Sequence, residues 1–121
     1  MGLDQYAYAI PRKENNAVID QKMADERPFF RWLKHPNLHG WMEELYRARG
    51  GKDEFNCVTL KLELSDLNRL KADVLANSLP ATSGFFFGES SPEDRADDLR
   101  FIELARALIQ EGKDVYYDSW W

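Results

Sequence analysis

The chain has 121 residues, enough for one domain with a hydrophobic core that needs no staples. Hydrophobic residues make up 44% and charged residues 31%, ordinary globular values that exclude a disordered or fibrous chain. The net charge of −5 argues against a duplex nucleic-acid binder, which needs a Lys/Arg surplus along one face.

Seven Phe, five Tyr and four Trp form an aromatic inventory that suits a core or an interface equally. A single cysteine, Cys57, excludes an internal disulfide and fits a reducing compartment. The opening MGLDQYAYAI has neither the basic run nor the apolar core of a signal peptide, and Tyr6 stands where a myristoylation signal carries Ser or Thr. The apolar runs are too short to cross a bilayer. A cytoplasmic protein without a membrane is expected.

In chain order, LDQYAYAI alternates and stops at Pro11, which reads as a strand. Residues 12–27 are polar and aperiodic; they are either a long loop or a hairpin return through AVID. PFFRWL is a short strand or a helical turn. A helix follows from Pro36 to about Ala48, with proline at its first position and Leu38, Trp41, Met42 and Leu45 as the apolar stripe. Gly50-Gly51 ends it.

EFNCVTLKLELS alternates most clearly, with Val58, Leu60, Leu62 and Leu64 expected on one side. Ser65 is expected to cap the next helix, carried to about Asn77 by Leu67, Leu70 and Val74. GFFFG then occupies the place of a short strand, with Phe85 and Phe87 on one face and Phe86 on the other. In SSPEDRADD, Ser91 is the expected cap, Pro92 the first helical residue and Asp94 the capping-box acid. That helix runs to about Glu111 before Gly112, and DVYYDSWW closes as a strand.

This order implies a single α+β domain, residues 1–121. We expect a two-layer sandwich with about four strands and three helices mainly on one face. Helix-bearing connections also allow part of the sheet to be parallel, a mixed α/β variant.

The chemistry-bearing residues are sparse. His35 and His39 have a spacing that suits a metal on a helix, but Pro36 places His35 at or before the cap and only Cys57 offers a third soft ligand. No metal site and no cofactor are expected. His39 and Glu43, one turn apart, form a candidate acid–base pair of a kind that is usually inert on helix surfaces. Lys61, on the same side as Cys57, is a candidate for lowering the pKa of that thiol. Asp94, Asp97 and Asp98 read as acids placed to suit the helix dipole. The terminal Trp120 and Trp121 either dock on the domain, the favoured reading, or sit in an interface, where Trp is enriched.

Four segments, MGLDQY, RWLKHPNLHGWM, LPATSGFFFG and SWW, resemble a family of small bacteriophage and prophage proteins for which no activity is established. The resemblance covers the chain in outline. Gln5 stands where the family usually has an apolar residue, and GESSPED departs from its usual tyrosine-containing stretch. By resemblance, Trp32, His39, Trp41, Thr82, Phe86 and Trp120 match the motif positions, as a shared core or a shared binding surface; Trp121 joins them as an interface candidate.

The expected function is that of a non-enzymatic, phage-derived accessory protein that binds an unidentified protein partner through aromatic residues. A homodimer is one form of such pairing. Two alternatives stand beside it: a single-strand or nucleotide binder that stacks rings, and a small enzyme centred on His39 and Glu43.

Overall fold

The alternation in LDQYAYAI makes β1, Asp4–Pro11, in the computed structural model, which describes residues 2–23, 26–84 and 87–121. The ambiguous aromatic segment is a strand, β2, Phe30–Leu33. Helix α1 spans Pro36–Ala48, β3 is the short Leu60–Leu62, α2 spans Leu64–Leu75, α3 spans Asp94–Gln110, and β4 is Lys113–Trp120. The fold is α+β.

The strand order is β2-β1-β4-β3, and every pairing is antiparallel. The parallel component allowed by the sequence is therefore not present among the described residues. β1 takes the nearby β2 on one side and the distant β4 on the other, so β3 is left to the far edge beside β4. Opposite residues share a face. Gln5, Ala7 and Ala9 of β1, Phe30 and Trp32 of β2, Leu60 and Leu62 of β3, and Val115, Tyr117 and Ser119 of β4 all point toward the helices.

That inner face and the helical stripes form one core: Leu38, Met42 and Leu45 from α1, Leu67, Leu70 and Val74 from α2, Phe101, Ile102 and Ala105 from α3. Trp32 packs edge-on against Phe101 with ring centres 4.7 Å apart. Burying each such ring contributes on the order of 2–3 kcal/mol.

Several local expectations shift. β3 is only three residues long because α2 starts at Leu64, so that Leu64 is half exposed instead of facing the core. The cap of α2 is Glu63, not Ser65; Asp66 reaches back to the Glu63 amide at 2.8 Å, a capping box built from two acids. At α3 only half of the expected box forms: the Ser91 amide donates to Asp94 Oδ2 at 2.7 Å, but no Ser91 side-chain bond closes it, the cap is Glu93 and regular helix begins only at Asp94.

Residues 18–20 do not return as a hairpin on β1. Ile19 bridges Leu60, and backbone bonds from Asp20 to Thr59 and from Lys61 to Val18 lay the segment along the β3 edge. The strand expected at GFFFG is not seen in its described residues. Phe87 donates to the Gly84 carbonyl in a turn, while Phe85 and Phe86 lie outside the described residues. No helix among the described residues is long and apolar enough to cross a membrane.

Candidate functional site

Two features stand out, one on each side of the sheet. The outer face carries Asp4, Tyr6, Tyr8 and Ile10 of β1, Arg31 and Leu33 of β2, and Tyr116, Asp118 and Trp120 of β4. Chain 12–23 covers the β4 and β3 half: Tyr116 is fully buried and its hydroxyl donates to the Ala17 carbonyl. The β1 and β2 half is left open. There Leu33, Asp4 and Trp120 form one row, with Leu33 64% and Trp120 62% exposed. In the next row Arg31 lies 5.2 Å from the Tyr6 ring centre, and Asp118 is on the other side of Tyr6. Tyr6 and Tyr8 stand 6.3 Å apart, both partly exposed.

The second feature is a polar chain under the helices. Gln5 is fully buried on the apolar side of β1. Its Nε2 donates to the His35 carbonyl and to the Tyr117 hydroxyl, both at 3.1 Å, and its Oε1 accepts from the His35 amide at 2.9 Å. Tyr117 in turn meets His39 Nδ1 at 2.9 Å. Burial depresses the pKa of His39 to about 4 and pushes that of Tyr117 far up, so both are neutral. The tyrosine O–H then donates to the imidazole. His39 is stacked on Phe55 and meets Phe87 and Trp121 edge-on.

His35, the residue before α1, is also buried. Its Nε2 lies 2.8 Å from Asp98 Oδ2, and its Nδ1 lies 2.7 Å from Ser90 Oγ and 3.4 Å from Asp94 Oδ2. Trp32 Nε1 donates to Asp98 Oδ1 at 3.1 Å. Burial raises the Asp98 pKa, while hydrogen bonds and charge from His35 pull it back. Ser90 Oγ also accepts from the Asn37 amide at 3.1 Å and so caps α1 from another part of the chain. A cleft of about 410 Å³ opens on this group between the ends of α1, α2 and α3.

Of the seven residues singled out from sequence, six are described, and the structure scatters them. Trp32 and His39 are in the core; Trp41 is buried with its indole N–H on Asp73 Oδ2 at 2.8 Å. Thr82 is half buried against Gly40, and its amide donates to Asn37 Oδ1 at 3.0 Å. Phe86 lies outside the described residues. Trp121 docks, with its indole N–H on the Phe55 carbonyl and its backbone clamped by Asn56. Of the six that are described, Trp120 alone stands on the open face.

His39 and Glu43 have different partners, Tyr117 and Arg47, the latter at 3.3 Å on the helix surface. The Cys57 thiol is pushed up by burial and by Asp118, not lowered by Lys61. Asp97 pairs with Arg100, while Asp98 turns inward. Among the described residues no group of three or more His, Cys, Asp or Glu side chains is placed to hold a metal.

Sequence reasoning missed Gln5, Ser90, Asp98 and Tyr117 as interacting residues. Only Gln5 carried a signal, a polar side chain on the apolar side of a strand. Compared with protein-family models, curated proteins and solved structures, the chain has no match.

Proposed function

We propose that the chain is a phage-derived accessory protein of the host cytoplasm that binds a protein partner through the open half of its sheet. The observation that carries this reading is Trp120, 62% exposed in a row with Leu33 and on the same open face as Tyr6 and Tyr8. Apolar rings held in water by a rigid sheet cost solubility, and Trp and Tyr are the side chains from which interface hot spots are built. The phage origin rests on the resemblance of the four sequence segments.

The charges beside the rings favour a protein over a nucleic acid. Asp4 shares a row with Trp120 and Asp118 shares one with Tyr6, where Arg31 is the cation among the described strand residues of those two rows. Phosphates would be repelled there, whereas a peptide segment carrying Lys or Arg beside an apolar side chain complements both the rings and the acids.

The test is retention of a host protein by immobilised wild type, Tyr6→Ala and Trp120→Ala. One specific protein is expected to bind wild type and to be weakened about 30-fold or more by Trp120→Ala, at unchanged melting temperature. Equal retention by both variants overturns the reading. Low-salt binding of a labelled single-stranded oligonucleotide that is lost in Tyr6→Ala replaces it with ring stacking on bases. Self-association abolished by Trp120→Ala identifies the partner as a second copy.

A further inference from the structure

We propose that Ser90, His35 and Asp98 form an acyl-transfer site that cleaves small carboxylic esters held in the cleft between the ends of the three helices. The proposal is independent of the sheet face and departs from the expectation of a non-enzymatic protein.

The geometry defines the protons. Asp98 accepts from Trp32 Nε1 at 3.1 Å with one oxygen and stands 2.8 Å from His35 Nε2 with the other. An ionised Asp98 can only accept, so in the neutral imidazole Nε2 would carry the proton and Nδ1 would be left as an acceptor. Nδ1 lies 2.7 Å from Ser90 Oγ. The Asn37 amide already donates to that oxygen, so the serine's own proton is directed at the imidazole. A nucleophile on a base, with the base oriented by a buried acid, is the arrangement that activates a hydroxyl. His35 and Asp98 are nearly sealed, at 2% and 1% exposure, while Ser90 is partly open to the cleft.

The surroundings suit the charges that develop. Ser90 sits at the N-terminus of α1, where the helix dipole favours the negative oxygen of a tetrahedral adduct. Asp94 Oδ2, 3.4 Å from Nδ1, opposes that oxygen but favours the imidazolium formed with it. Val74 and Leu79 give the cleft an apolar wall for an acyl chain.

Ser90 Oγ adds to the ester carbonyl carbon as its proton passes to His35 Nδ1. The adduct collapses, breaking the bond to the alcohol oxygen, which takes that proton and leaves. A water then adds to the acyl-serine, gives its proton to Nδ1, and the carboxylic acid departs as Ser90 Oγ recovers the proton.

The experiment is treatment with a fluorophosphonate probe, read by intact and peptide mass, beside hydrolysis of p-nitrophenyl acetate. Wild type and Ser91→Ala are expected to gain one adduct on Ser90 and to turn over the ester; Ser90→Ala gains none. Asp98→Asn and His35→Gln slow labelling about 100-fold or more. Because these buried variants can fail to fold, Ser90→Cys is alkylated with iodoacetamide across pH. A thiol that reacts well below the pH of an ordinary cysteine supports the imidazole as its base. Absence of an adduct on Ser90, labelling at Ser91 instead, or an ordinary alkylation profile overturns the proposal and leaves Ser90 as a helix cap.

Discussion

Gln5 and Tyr117 meet at 3.1 Å between the two histidines, joining the strand that opens the sheet to the one that closes it. Gln5 also holds the backbone of His35 on both its amide and its carbonyl. Replacement by leucine removes all three bonds and leaves buried polar groups unpaired. Gln5→Leu is expected to cost about 1–3 kcal/mol in urea denaturation.

His39 makes stability depend on pH. Its folded pKa of about 4 lies below the unfolded value of 6.5, so the unfolded chain binds the extra proton between these values. The contribution of neutral His39 is fully present above pH 6.5 and lost as pH falls toward 4, by about 3 kcal/mol. Asp98 and Asp118, whose carboxyls are raised by burial, work in the opposite direction at the acid end. The difference between wild type and His39→Gln isolates the histidine. Denaturation of the two at pH 7 and pH 4.5 should show a flatter dependence in the variant.

Gly40 is a contact, not a flexible joint. A Cβ there would stand 1.9 Å from Thr82 Oγ1 and 2.9 Å from Thr82 Cβ. Alanine favours the helix by about 1 kcal/mol, yet the overlap costs about 1–3 kcal/mol. Gly40→Ala is therefore expected to destabilise, and to become neutral or stabilising in a Thr82→Gly background. A double-mutant cycle measures the coupling; additive effects would show that the loop does not seat on α1.

The two terminal tryptophans separate binding from stability. Trp121→Ala removes ring contacts to Phe87 and His39 and a hydrogen bond to Phe55, and is expected to cost about 2–3 kcal/mol. Trp120→Ala lies within about 0.5 kcal/mol of wild type. Thermal melts of the pair check this; equal losses would mean that Trp120 is packed.

Periodicity made the helices and the α+β class legible, because Leu38, Met42, Leu67, Leu70, Ile102 and Ala105 repeat at the spacing a single buried stripe demands. Strand pairing was less legible. FRWL has only four residues, too few for alternation to declare itself, and GFFFG competed for the same role. The polar chain was hidden for another reason. Ser90 lies 55 positions from His35, and Asp98 lies 63 positions from it. Neither spacing repeats anything local, and Asp98 reads as one acid among several at a helix start. The exposed row was hidden too, since Trp120 and Trp121 are equivalent in sequence and only the register of β4 sends one outward and the other to Asn56.

β4 is the last strand of the chain, yet it lies inside the sheet, between β1 and β3. Asp4 thus finds Trp120 only after nearly the whole polypeptide has been drawn into a ring. Such a closure spends much chain freedom before any contact repays it, which is expected to make folding slower than that of a helical bundle of similar size. During synthesis the sheet cannot be completed until residues 113–120 have left the ribosome. Until then, the inner edge of β1 and the cluster around Phe55 wait without a lid.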